Sequence, residues 1–158
     1  MSSNKNVAVR EFSWPVRVYY EDTDSGGVVY YANYLKFMER ARTEFLRSIG
    51  YEQDQLQQEL GIIFAVHSAN IQYKKPARFN DGLNVVTSIT SLGKASIHFK
   101  QSVFLESSHH AGSAPGAKSC LLSEAEIKIA CLNAQKFTPQ SIPAPIIENI
   151  RKEIHCGS

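Results

Sequence analysis

Residues 33–50 read NYLKFMERARTEFLRSIG, and the spacing of the apolar residues in this stretch decides the fold. Tyr34, Met38, Ala41, Phe45 and Ile49 recur at intervals of four, three, four and four, which stacks them on one face of an α-helix. Lys36, Arg40, Thr43 and Arg47 fall on the opposite face at similar spacing. Asn33 is of a type that caps helix N-termini, and Gly50 of a type that follows their C-termini. The pattern predicts a helix of about 16 residues, about 24 Å long.

On both sides of this helix the period is two. Phe12 to Tyr20 alternates, with Val16, Val18 and Tyr20 on one side and Arg17 and Tyr19 on the other, as in a half-buried strand. A short helical turn is expected around Glu52 to Leu60, stopped by Gly61. Beyond Ile62, Ala69, Ile71 and Tyr73 alternate with Ser68, Asn70 and Gln72. Asp81-Gly82 signals a turn, Leu83 to Thr90 a strand, and Leu92-Gly93-Lys94 a tight hairpin connection. Ile97, Phe99, Val103 and Leu105 alternate with Ser96, His98, Lys100 and Ser102, and Ile127, Ile129 and Cys131 with Glu126, Lys128 and Ala130. Ser107 to Lys118 reads as an exposed loop. The tail, with Pro139, Pro143 and Pro145, is irregular and then helical through Ile146 to Ile154. One strand, a long helix and about four long strands joined by short turns make an α+β chain. The expected architecture is a long central helix wrapped by a curved, mostly antiparallel sheet of about five strands.

The chain has 158 residues, 43% of them hydrophobic, which suits one domain spanning 1–158, with its core at about 12–133 and a tail over 134–158. Seventeen Lys and Arg against fifteen Asp and Glu leave a formal charge of +2 with no basic block, which argues against nucleic acid as a partner. No apolar run approaches the length of a transmembrane segment, and the leader lacks the apolar core of a secretory signal. Cys120, Cys131 and Cys156 form neither a CxxC pair nor a disulfide framework. They read as reduced cysteines of a cytoplasmic protein. His67 and His98 read as ordinary sheet residues, and His109, His110 and His155 have no metal-ligand spacing.

The chemistry concentrates in Tyr20 to Tyr34, YEDTDSGGVVYYANY. Two carboxylates, Asp22 and Asp24, precede paired glycines and then a helix start. A helix N-terminus carries unsatisfied N–H groups and a partial positive charge, and such groups can hold an oxygen that turns negative during a reaction. A nearby carboxylate can attack a carbonyl or deprotonate water. These parts suit hydrolysis of an activated acyl group. Read from the residues alone, other readings stay open: both aspartates as turn caps that complement the helix dipole, an aspartyl-phosphate nucleophile, or a calcium loop. The calcium loop fails at Gly26, where an oxygen side chain is wanted, and at Asn33, where a bidentate Glu belongs.

The stretch VRVYYEDTDSGGVVYYANYLKFMERARTEFLRSIGY, together with YKKPARFNDGL at Tyr73 to Leu83, resembles the hotdog-fold acyl-CoA thioesterases of the 4-hydroxybenzoyl-CoA thioesterase type. Within that type it is most similar to the Tol-Pal-associated, YbgC-like branch. The resemblance runs from Phe12 to about Asn133. It implies that Asp24 is the catalytic carboxylate, as nucleophile on the thioester carbonyl or as base for water. It implies that the backbone N–H of Tyr31 polarises the thioester oxygen. The Tol-Pal-associated branch usually has His at this position; here it is Tyr, which keeps the backbone donor and removes an imidazole. Tyr20, Asn33 and Gly27 fall in the matching stretch as pocket residues, and Asp22 as a loop organiser. Lys94, Lys74, Lys75 and Arg78 are the cations expected near the phosphates of coenzyme A.

The resemblance further implies a homodimer or homotetramer whose pocket forms between chains, with acyl-CoA as substrate. No cofactor is expected, neither metal nor redox, coenzyme A being part of the substrate. The alternative function is a non-catalytic acyl-CoA or acyl-carrier-protein binding module serving lipid-synthesis or Tol-Pal envelope machinery. The loop does not resemble the His-bearing motif of hotdog hydratases.

Overall fold

The computed structural model describes residues 10–107 and 120–155. Of the expected exposed loop, residues 108–118, with His109 and His110, lie outside the described residues, as does Cys156. Five strands, β1 (Phe12–Arg17), β2 (Ile62–Tyr73), β3 (Gly82–Leu92), β4 (Ser96–Ser107) and β5 (Cys120–Asn133), form one sheet in the order β1-β3-β4-β5-β2. Every neighbouring pair is antiparallel. The long helix α1 (Asn33–Ser48) follows β1, a short helix α2 (Gln53–Gln55) continues as a π turn over Leu56–Leu60, and α3 (Ala144–His155) ends the chain.

Of the apolar stripe read from the sequence, Tyr34, Met38, Ala41 and Phe45 are buried, Ile49 just past the helix is half-buried, and Phe37 and Leu46 widen the buried face. Each large side chain removed from water contributes about 1.5–3 kcal/mol. Gly50 follows the helix with φ of 97°, a left-handed conformation that a residue with a Cβ adopts at a cost. Asn33 is not the cap. It is the first helical residue, Ala32 precedes it, and no side chain caps the end. Its amide is instead drawn to the backbone of the loop before the helix.

β1 stops at Arg17, short of the expected Tyr20. Val18 leaves the ladder to exchange hydrogen bonds with the backbone of Asn80 and Asp81, and Tyr20 lies in a single 3-10 turn with 80% of its surface exposed. It does not share the inward face of Val16 and Val18. β2 also departs from simple alternation: Val66 to Asn70 are exposed on both faces. A bulge between Val66 and Ser68 changes the parity of the strand, so Val66 and Ala69 point to the same side. α1 lies chiefly over β3 and β1, leaving this edge of the sheet uncovered. α3 packs Ile146 and Ile150 into the core, and Arg10 just before β1 pairs with Glu153 at 2.7 Å.

Candidate active site

The loop between β1 and α1 is a small closed hairpin. Asp24 N–H donates to the carbonyl of Val28 at 2.9 Å, and Gly27 N–H to the carbonyl of Asp24 at 3.0 Å. Thr23 and Val29 form an antiparallel bridge. The tight turn needs a positive φ at its last position, and Gly27 supplies it at 79°. Asp24 adds its side chain to the turn, its Oδ1 accepting Gly26 N–H at 2.8 Å. One carboxylate oxygen is thereby anchored, and the side chain remains exposed.

Asp22 works differently. It is 9% exposed, its Oδ2 accepts Tyr19 N–H at 2.8 Å, and its carbonyl accepts Tyr30 N–H at 3.0 Å and the Asn33 side-chain amide at 2.9 Å. It organises the loop, and Asn33 ties that loop to the first turn of α1. At that turn Asn33, Tyr34 and Leu35 each donate a backbone N–H three residues back. Among the described residues, the N–H groups of Tyr31 and Ala32 have no hydrogen-bond acceptor.

Tyrosines frame this helix start. The Tyr31 ring lies 4.7 Å from that of Tyr30 and 6.1 Å from that of Tyr73, and Tyr73 donates its hydroxyl to the Tyr31 carbonyl at 3.1 Å. Buried Tyr34 accepts Ala77 N–H at 3.0 Å. Burial holds the Tyr34 phenol above its ordinary pKa, and the same cause acts on Tyr73. Tyr20 stacks edge-on against Phe79.

The segment Tyr73 to Asp81 reaches the loop directly. Val28 bridges Arg78, and Val29 N–H donates to the carbonyl of Ala77 at 2.9 Å. Lys74, Lys75 and Arg78 are exposed beside it, and Lys74 is paired with Glu124 at 3.7 Å. Lys94 is not part of this group. It sits in the β3–β4 connection, at the far end of β3 from Arg78, where its carbonyl accepts Ile142 N–H. Among the described residues, Asp24 and Tyr31 line none of the main clefts.

Sequence reading did not find the polar cluster behind α1. Gln101, at 0% exposure, takes an inward position on β4 between Phe99 and Val103. Its Nε2 donates to the Met38 carbonyl and to Thr87, each at 2.9 Å. Its Oε1 accepts from buried Arg42 at 2.8 Å. The two-residue period placed Gln101 inward; its partners are distant in sequence.

The hydrolytic activity expected of the chain is matched by relatives. The thioesterase superfamily model matches residues 26–111. The acyl-CoA thioester hydrolase YbgC of Escherichia coli O6:H1 is 40% identical over 141 residues, 89% of this chain and 96% of that protein. The chain belongs to the thioesterase superfamily. A second thioesterase relative, the acyl-CoA thioesterase YbgC of Haemophilus influenzae, is 40% identical over 85% of this chain and 90% of its own. A probable thioesterase from Bartonella henselae superposes with a TM-score of 0.73 at 31% identity, over 85% of this chain and all of that one. A 4-hydroxybenzoyl-CoA thioesterase solved with 4-hydroxybenzoyl-CoA superposes at 0.79, over 89% of this chain and 99% of that one. At 22% identity it shares the fold. The expected hotdog thioesterase fold is therefore the observed one, and the chain is a thioesterase.

Proposed function

We propose that the chain hydrolyses acyl-CoA thioesters, with Asp24 as the reacting carboxylate and the Tyr31 N–H as oxyanion donor. The observation that carries this is the pairing of an anchored, exposed carboxylate with two amide hydrogens at the start of α1 that have no acceptor among the described residues. In one route water adds to the thioester carbonyl while Asp24 takes its proton; in the other the Asp24 carboxylate adds to that carbonyl, coenzyme A leaves as the anhydride forms, and water then cleaves the anhydride to the acid and free Asp24. The carbonyl oxygen becomes negative and is held by the Tyr31 N–H. Collapse breaks the carbon–sulfur bond, and coenzyme A leaves as a thiolate that gains the proton. The products are a carboxylic acid and coenzyme A.

Gly27 and Asn33 keep the carboxylate and the helix start in register. Tyr20 borders the opening, Lys75 and Arg78 contact the phosphates, and Lys94 does so from a second copy of the chain. The reaction as written consumes water alone, and the setting is the cytoplasm. Enclosure comes from a homodimer. β2 supports this, because it is a twelve-residue edge strand with no proline, lysine or glutamate, the kind of edge that pairs with another chain.

The test is release of free thiol from a panel of acyl-CoAs by purified protein. Turnover that is abolished in Asp24→Asn supports the reading. Acyl-CoA binding without thiol release would instead make the chain a binding module for acyl-CoA or an acyl carrier protein.

A further inference from the structure

Tyr73 is the last residue of β2, paired across the ladder with Ser123 of β5. The backbone on either side of it is pinned to β5. Lys74 and Lys75 N–H both donate to the Leu122 carbonyl, at 2.8 and 3.1 Å, and Ser123 Oγ donates to the Gln72 carbonyl at 2.9 Å. From this support the Tyr73 ring packs edge-on against Tyr34 of α1, with centroids 5.5 Å apart.

The Tyr73 hydroxyl donates to the carbonyl of Tyr31, 42 positions away in sequence, at 3.1 Å. The same oxygen accepts Tyr34 N–H at 3.4 Å, beyond the usual length of such a bond, so the phenol is its nearer donor. This carbonyl is one half of a planar peptide whose other half is the Ala32 N–H. In a trans peptide the two point in opposite directions, so a bond that fixes the oxygen also fixes the direction of the hydrogen. The bond further polarises the amide and makes the Ala32 N–H a stronger donor. That N–H and the one of Tyr31 are the two at the helix start without an acceptor among the described residues.

Burial, together with the neighbouring Tyr31 phenol, holds Tyr73 above its ordinary pKa, so it stays a donor through the neutral range. The bond lies at the surface, with Tyr73 44% and Tyr31 60% exposed. Water can therefore take the place of the phenol on this carbonyl, and the bond contributes little to folding. What water does not reproduce is a donor fixed in direction by the end of a sheet.

We propose that Tyr73 is a positioning residue for thioester cleavage: its hydroxyl holds the Tyr31–Ala32 peptide so that the Ala32 N–H stands beside the Tyr31 N–H as a second donor to the oxyanion. This rests on the proposed reaction at Asp24 and adds to it a support that reaches the helix start from β2.

The experiment compares Tyr73→Phe with wild type in thiol release and in amide spectra. Phenylalanine keeps both ring contacts and removes the hydroxyl alone. kcat is expected to fall about 5–30-fold, part of the roughly 10²–10³ lost with a whole oxyanion donor. KM is expected to stay within about twofold and Tm within about 2 °C. A kcat within about twofold of wild type overturns the proposal, as does a loss carried by KM alone.

A fluorinated tyrosine at position 73 keeps the ring and the hydroxyl but ionises closer to neutral pH. Its kcat is expected to match wild type on the acid side of that ionisation and to fall to the Tyr73→Phe level as the donated proton is lost. The titratable groups facing it are the phenols of Tyr31 and Tyr34; its partner Ser123 on β5 does not titrate, and Glu124 is paired with Lys74. All of these are common to wild type and variant, so a profile parallel to that of wild type overturns the proposal.

Nitrogen–proton spectra read the peptide without turnover. Tyr73→Phe is expected to shift the Ala32 amide and to leave those of Asp24 and Gly26 in place; an unmoved Ala32 amide overturns the proposal. Thiol release from no acyl-CoA by wild type refutes the reaction and with it the catalytic use of this bond, whereas the Ala32 amide still decides whether Tyr73 holds the peptide.

Discussion

Asn33 donates its side-chain amide to the carbonyl of Asp22 at 2.9 Å, tying the first residue of α1 to the loop that holds Asp24. The same carbonyl accepts Tyr30 N–H, so one oxygen sets both the exit of the hairpin and the entry to the helix. The carboxylate and the helix start are thus positioned by one short stretch of chain, and they are separable by mutation from the residues that merely hold the stretch together.

Asp24→Asn is expected to lower kcat about 10²–10⁴-fold, the usual range for loss of a positioned acid or base, with the melting temperature unchanged because the side chain is exposed. Asp22→Asn is expected to do the reverse. It weakens the bond from Tyr19 N–H and costs about 1 kcal/mol, lowering Tm about 2–4 °C, while kcat falls less than about tenfold. Thiol-release kinetics and thermal melts on both variants decide the assignment; a loss in Asp22→Asn as large as in Asp24→Asn would reassign the reacting carboxylate.

Gly27→Ala forces a Cβ into the left-handed region at φ of 79°, which costs about 1–2 kcal/mol. Because Gly27 N–H closes the turn on the Asp24 carbonyl, the strain is expected to move the carboxylate. kcat should fall with KM little changed, measured on the best acyl-CoA of the panel.

Tyr34→Phe leaves Ala77 N–H without its acceptor in the interior, at an expected cost of about 1–3 kcal/mol in urea unfolding. The pH dependence has a definite sign. Burial raises the Tyr34 phenol above 10.0 in the folded chain, so the unfolded chain loses this proton first. The stability contributed by the neutral phenol is full below about pH 10 and is lost as pH rises through the folded value. Wild type should therefore lose stability above pH 10 more steeply than Tyr34→Phe does.

Gln101→Met keeps the volume and removes an acceptor from Arg42 and a donor from Thr87 and the Met38 carbonyl. Leaving a buried guanidinium unpaired is expected to destabilise the fold by about 2–4 kcal/mol, read from denaturant midpoints.

For the phosphate contacts, Arg78→Ala combined with Lys75→Ala is expected to raise KM for acyl-CoA about 3–10-fold at low salt, with less effect as salt screens the charges. An unchanged KM would remove these two residues from the coenzyme A site.

The helix, the number of strands and the acidic loop were all legible in the residue order. A period of four, three, four and four at Tyr34 to Ile49, and a period of two beyond Ile62, are properties of local geometry, and local geometry is written in neighbouring residues. The loop was legible for a similar reason: carboxylates, paired glycines and a helix start lie within fifteen residues. What no local reading could supply was which groups meet across the fold. Asn33 looked like a cap until the Asp22 carbonyl offered its amide a partner. Arg42 and Gln101 are 59 positions apart, Ala77 and Tyr34 are 43 apart, and Lys94 is separated from Arg78 by the full length of β3. Periodicity tells each side chain which way to face. Only the closing of the sheet around α1 decides whom it faces, because that contact depends on strand order and register, which are set by the burial of the whole chain at once.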